Sequence, residues 1–179
     1  MRYLIITIIF FAFGCSGKLS ESKIEEMISK EFNLPFIDTQ KVNISYYSKI
    51  SEEVKKLETD GFLIFKKDGY DTKIEFKDKS KQYLFYQEEF NKTYHWKYQY
   101  YNGYSVAFDK ITGIKYNKNV DLAKVVFTIK YINVTPLSVF SNDDEIKEGN
   151  TIKRELLFSK YEDGWRIEKN PKFSDLQQF

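Results

Sequence analysis

The chain has 179 residues, with 28 basic and 26 acidic side chains and a formal net charge of +2. Interspersed charges that nearly cancel leave no basic face or stripe, which excludes nucleic acid as a partner. One Cys and one His exclude zinc sites of the usual N and S ligands. The aromatic excess, 14 Tyr, 16 Phe and 2 Trp, favours strands and offers large surfaces with polar tips; the codon bias of an AT-rich genome yields the same excess.

Arg2 precedes an apolar run from Leu4 to Phe13, broken only by Thr7. A basic start, a brief apolar run and then small residues form the pattern of a secretory signal. The run falls well short of the roughly twenty residues that span a bilayer. A buried first strand is the alternative, but the run shows no alternation and no turn precedes it. Cys15, the only cysteine, directly follows Gly14. The segment Ala12-Phe13-Gly14-Cys15 resembles the lipobox of bacterial lipoproteins, with Ala12 in place of a larger aliphatic and Phe13 in place of a small residue. The resemblance covers residues 1–15. It implies cleavage between Gly14 and Cys15, acylation of the Cys15 thiol and a lipid anchor in the membrane of the bacterial cell envelope. Ser16 is not the aspartate that retains some lipoproteins in the inner membrane, so outer-membrane sorting is permitted.

The domain plan is a signal peptide over 1–14, a lipidated cysteine and short tether over 15–19, and a single α+β domain over 20–179. Loss of residues 1–14 removes Arg2 and leaves about 165 residues, enough for one core. With no second cysteine, stability must come from burial without disulfides.

Residues 20–78 carry a helix, a strand, a second helix and a hairpin. Ile24, Met27, Ile28 and Phe32 form one apolar stripe of a helix that starts at Ser20 or Ser22 and ends at Asn33-Leu34-Pro35. Ser22 with Glu25 fits a capping box. Val42, Ile44 and Tyr46 alternate with polar residues as a short strand. A second helix begins at Ser51, with Glu52 and Glu53 favourable to its dipole, Val54 and Leu57 inward and Gly61 at its C′ position. Strands Phe62–Lys66 and Lys73–Lys77 flank the turn Asp68-Gly69-Tyr70-Asp71. This helix–glycine–hairpin order, over about 30 residues, resembles the winged-helix pattern as architecture, with no DNA binding implied for an exported chain.

Residues 82–170 read as an antiparallel sheet. Tyr83–Tyr86 is one strand, and Tyr94, Trp96, Tyr98 and Tyr100 alternate with His95, Lys97, Gln99 and Tyr101 in the next. Asn102-Gly103 suggests a type I′ hairpin turn into Ser105–Phe108, with Ile111–Tyr116 another short strand. In Ala123–Ile132, Ala123, Val125, Phe127, Ile129 and Tyr131 share one face, and Lys124, Thr128 and Lys130 share the other. Thr135-Pro136 breaks the pattern, Ser141–Asn150 is an acidic loop, and Ile152–Tyr161 turns at Glu162-Asp163-Gly164 into Trp165–Glu168. That last hairpin resembles the closing strands of NTF2-like and cystatin-like domains. The resemblance covers about 60 C-terminal residues and implies N-terminal helices packed on a largely antiparallel, curved sheet.

Catalytic motifs are sparse. His95 is the only candidate base for a triad and sits in a strand as a solvated residue; no Gly-x-Ser-x-Gly elbow occurs. Asp143, Asp144, Glu145 and Glu148 lack the spacing of a calcium loop, so no metal is expected. Glu88-Glu89 would point to opposite faces of a strand, and a turn accounts for them more simply. No phosphate cradle occurs, so no cofactor is implied. The aromatic row Tyr94, Trp96, Tyr98 and Tyr100 is the candidate binding face, for a glycan or an envelope protein. The competing account makes the row the core face, since His95, Lys97, Gln99 and Tyr101 opposite it are the more polar set, and that account is the favoured one. The expected function is a non-enzymatic, membrane-tethered binding or accessory module. One alternative is an inhibitor or immunity lipoprotein working through Ser141–Asn150 or Asp68–Asp71. Another is an enzyme with Glu75, Asp109 or Glu155 buried in a concave pocket.

Overall fold

The computed structural model describes residues 19–45, 50–94, 96–117, 119 and 121–169. Gly14, Cys15, Ser16, Tyr46 and His95 lie outside the described residues. The elements are α1 (Glu21–Glu31), β1 (Phe36–Asn43), α2 (Glu52–Thr59), β2 (Leu63–Asp68), β3 (Asp71–Phe76), β4 (Leu84–Asn91), β5 (Trp96–Asn117), β6 (Leu122–Ile132), β7 (Thr151–Tyr161) and β8 (Gly164–Ile167). Short 3₁₀ turns occupy Asp78–Tyr83 and Pro136–Ser141. The strands make a curled antiparallel half-barrel in the order β1-β5-β6-β7-β8, with β4 also on β5, and β2–β3 form a separate hairpin. The architecture is α+β with the sheet dominant and the helices few and short.

Both helices stop for the same local reason. At α1, Asn33 takes φ 51° and Leu34 N–H donates to Ser29 O at 2.8 Å; at α2, Gly61 takes φ 79° and Phe62 N–H donates to Leu57 O at 2.8 Å. Each is a left-handed residue closing the last turn onto otherwise unbonded carbonyls. At the start of α1 the cap is Ser20, whose Oγ accepts from Lys23 N–H at 3.3 Å, so the Ser22–Glu25 box is not the cap used. Ile24 and Ile28 are fully buried, whereas Phe32, at the C-terminal cap, leaves the stripe and is 47% exposed. Leu19, assigned to the tether, is buried beside Ile24 and Ile28, and its carbonyl accepts from the Tyr116 hydroxyl at 2.9 Å.

The 22-residue strand β5 is the spine. It runs straight through Asn102-Gly103, where a hairpin turn was expected, and Ile111–Tyr116 belongs to the same strand. Partners on both edges hold it extended: β1 spans Tyr98–Val106, β4 spans Trp96–Tyr101 and β6 spans Ser105–Asn117. Between β4 and β6 one edge is bridged by Thr135, whose N–H donates to Gly103 O at 2.9 Å and whose Oγ1 donates to Asn102 O at 2.7 Å.

Three residues of β5 have no partner in register. Gly103 is skipped against β1, and Asp109 and Thr112 are skipped against β6. Each bulge shifts the alternation by one and bends the strand. As a result Tyr101, Tyr104, Val106, Phe108, Ile111 and Ile114 all face inward, opposite Gln40, Asp38, Tyr131, Ile129, Phe127 and Val125.

Two large cores and a smaller cluster of Val106, Tyr131 and Ile146 lie along that inner face. One of the large cores joins α2, the β2–β3 hairpin and the start of β5 through Val54, Leu57, Leu63 and Tyr101; the other packs α1 on β6 and β7 through Ile24, Ile28, Val125, Phe127 and Phe158. β6 keeps the expected inward face, with Ala123, Val125, Phe127 and Tyr131 buried. β1 begins at Phe36, earlier than the expected strand at Val42. Glu88 and Glu89 lie in β4 and not in a turn, because that segment pairs with Gln99 and Tyr98.

Candidate functional site

The row Tyr94, Trp96, Tyr98 and Tyr100 stands on the outer face of the sheet. Tyr94 is 62% exposed, while Gln99 and Tyr101 on the other face are 9% and 1% exposed. The row, with Trp96, Tyr98 and Tyr100 half-buried, joins none of the hydrophobic cores, and of the set opposite it Gln99 and Tyr101 are buried while Lys97 is exposed. Tyr101 is buried because α2 and the β2–β3 hairpin cover that side, and its hydroxyl donates to Gln40 Oε1 at 2.9 Å. Gln99 satisfies its amide against the Phe85 and Tyr100 carbonyls.

The outer rings form a continuous ladder. Tyr94 stacks on Trp96 with centroids 4.9 Å apart, and Trp96 meets Tyr98 edge-to-face at 6.4 Å. Lys41 Nζ from β1 lies 4.7 Å from the Tyr98 ring centroid, a cation–π distance. The same ammonium pairs with Glu89 Oε2 at 3.1 Å, and the Tyr100 hydroxyl donates to that carboxylate. Hydrogen bonds from Tyr100 and Lys41 hold the Glu89 carboxyl below its ordinary range; the bonds to Glu89 push the Lys41 and Tyr100 values up. At one end, Tyr94 and Trp96 wall a cleft of about 510 Å³ against the hairpin, lined by the Lys66–Glu75 and Lys73–Asp68 ion pairs. The arrangement offers ring faces, hydroxyls and an ion pair on one surface, the equipment for recognition.

The concave face holds a second opening, a cavity of about 420 Å³ beyond the C-terminal end of α1. Val106, Ile129 and Ile152 form its floor, Phe32 and Phe36 its rim, and Arg154 and Glu155 its charged edge. Tyr104 packs edge-to-face on Tyr131 at 4.9 Å. Burial and a hydrogen bond to Asp38 push the Tyr104 hydroxyl far above its ordinary range.

Comparison with family models, curated proteins and solved structures finds no match to this chain.

The three carboxylates named for an enzymatic pocket are each accounted for at the surface or in a local bond. Glu75 pairs with Lys66, and Glu155 pairs with Lys124 at 2.6 Å, which holds its carboxyl below the ordinary range. Half-buried Asp109 accepts from Thr128 Oγ1 at 2.7 Å. Among the described residues no three His, Cys, Asp or Glu side chains converge as metal ligands, and no helix is long and apolar enough to cross a membrane. The 142–150 segment stays irregular, anchored by buried Ile146. Lys41, which completes the outer ladder, carries no signal in the sequence because the expected strand starts after it, and Glu89 stands out there only as half of the Glu88-Glu89 pair placed in a turn. Arg154 and the two rim phenylalanines carried no sequence signal of their own beyond apolar periodicity at Phe32.

Proposed function

We propose that this chain is a lipoprotein of the bacterial cell envelope, anchored through acylated Cys15 after cleavage at Gly14, and that it works as a non-enzymatic binding module. Its outer aromatic ladder is the recognition face, and an envelope protein or glycan is the partner. The lipobox-like segment supports the anchor. The placement of the Tyr94–Trp96–Tyr98–Tyr100 row outside the cores, with Tyr94 exposed, the other three rings half-buried and Lys41 and Glu89 set between the rings, is the observation that carries the binding reading. Tyr and Trp on a solvent face supply large rigid contact area at small entropic cost. The NTF2-like and cystatin-like domains that the last hairpin resembles in sequence host binders, inhibitors and enzymes alike. A second reading, an inhibitor or immunity lipoprotein, draws on Tyr70, which projects fully exposed from the tip of the β2–β3 hairpin between Asp68 and Asp71. The enzyme reading has less support, since none of Glu75, Asp109 and Glu155 is buried.

Crosslinking in intact cells, followed by membrane solubilisation and recovery of the full chain, tests the proposal. A stoichiometric partner should be lost both with Cys15→Ser and with the double substitution Trp96→Ala, Tyr98→Ala. A partner unaffected by the double substitution but lost with Tyr70→Ala moves recognition to the hairpin tip. Recovery of nothing specific, protein or glycan, refutes the binding reading.

A further inference from the structure

We infer that the cavity on the concave face is a binding site for a single-chain amphiphile with an anionic head, of the fatty-carboxylate class. The inference stands apart from whatever the outer ladder recognises. The cavity volume of about 420 Å³ lies within the span of small-molecule pockets, and its floor and rim are apolar. It exists because α1 stops at Glu31, so the inner face beyond Phe127 has no helix over it. Two large phenylalanines are left exposed there, Phe32 at 47% and Phe36 at 41%, as walls with no core to fill. An apolar body is what such a slot accepts.

The charge at the mouth chooses the head group. Glu155 is already neutralised by Lys124, and Asp38 is occupied by Tyr104 and Gln40. Arg154 has no acidic partner among the described residues; its Nη1 donates only to the Lys153 carbonyl, at 3.1 Å. Asp143 and Glu145 act on Tyr131 from the neighbouring loop but do not line the cavity, so the uncompensated charge on its lining is that of Arg154, whose planar donor fork matches a carboxylate or phosphate. The Tyr131 hydroxyl, raised in pKa by burial, stays a neutral donor or acceptor beside it.

The test is a titration of the full chain, purified in digitonin, with the fluorescent polyene carboxylate cis-parinarate. Saturable one-to-one binding is expected, displaced by dodecanoate more strongly than by decanoate, by about fourfold for each added methylene. Arg154→Glu, at an exposed position, should weaken carboxylate binding by roughly tenfold or more and leave dodecanol unaffected. Ile152→Trp should fill the slot and abolish binding of both, with far-UV circular dichroism and melting checking that the chain stays folded. Stronger displacement by lysophosphatidylglycerol than by dodecanoate would name a phospholipid as the source, and the reverse a free fatty acid. Absence of saturable binding overturns the inference, as does binding indifferent to Arg154→Glu.

Discussion

Gly103 offers a sharp trial of how β5 is built. In a type I′ turn its φ would be positive, and an alanine there would cost about 1–2 kcal/mol. In the structure Gly103 is a bulge residue outside the left-handed region, and a Cβ on it would meet Tyr101 Cε2 at 3.6 Å, Gln40 Cδ at 3.7 Å and Asp38 O at 3.9 Å. Those are ordinary van der Waals contacts, so no neighbour must move. What remains is the reduced freedom of the unfolded chain, which favours alanine by about 0.4–1 kcal/mol. Gly103→Ala should therefore stabilise the protein by about 0.5 kcal/mol, raising the melting midpoint by about 1–2 °C. Gly61→Ala is the internal contrast. Its Cβ would meet nothing within 4 Å, but φ is +79°, so the left-handed penalty survives and a net loss of about 1 kcal/mol is expected. Urea unfolding of both variants, followed by Trp fluorescence and circular dichroism, measures the pair. A loss of 1 kcal/mol or more for Gly103→Ala would refute the continuous, bulged strand.

Ser20→Ala should cost about 1 kcal/mol through loss of the α1 cap, while Ser22→Ala should change the urea midpoint little. Because Glu89 is held below its ordinary pKa, its contribution is present above the usual carboxylate range and is lost as pH falls through the lowered value. Glu89→Gln should accordingly flatten the fall in urea midpoint between about pH 5 and 3. Tyr104 is raised, so its contribution is full below about pH 10, the ordinary tyrosine value, and is lost as pH rises beyond it. Tyr104→Phe should therefore lose less stability than the native chain on going from neutral to strongly alkaline buffer, measured by the same unfolding midpoints.

The parts of the fold legible in sequence are those whose pattern is local. Ile24 and Ile28 mark α1, Val54 and Leu57 mark α2 with Gly61 behind them, and β6 shows clean alternation from Ala123 to Tyr131. The Glu162-Asp163-Gly164 turn joins β7 to β8 as its residues indicate. β1 was largely hidden because two of its inward positions are Asp38 and Gln40. Their side chains bond each other at 2.7 Å and bridge Tyr101 to Tyr104 in a polar chain that hydropathy cannot reveal. Polarity misleads at the aromatic row because Gln99 and Tyr101, members of the more polar set, are the side chains that α2 and the β2–β3 hairpin cover. Even-numbered residues point outward before Gly103 and inward just after it, and only the isolated glycine hinted at the change. The concave cavity depends on where α1 ends relative to β6 and β7, a tertiary fact with no local trace.

Because Phe36 finds its partner in Val106, 70 positions later, β1 cannot complete its pairing until the first half of β5 has been synthesised. Closing so long a loop adds entropy cost only logarithmically, so the contact is affordable but late. In the interval β1 is an open template for the same strand of another copy, with Ile37 and Phe36 offering apolar purchase. Asp38 and Lys41 set unlike charges along that short strand, and a stacked, in-register copy would place each beside its own kind. The polar residues that obscured β1 thus also act as its guard against self-association before folding is complete.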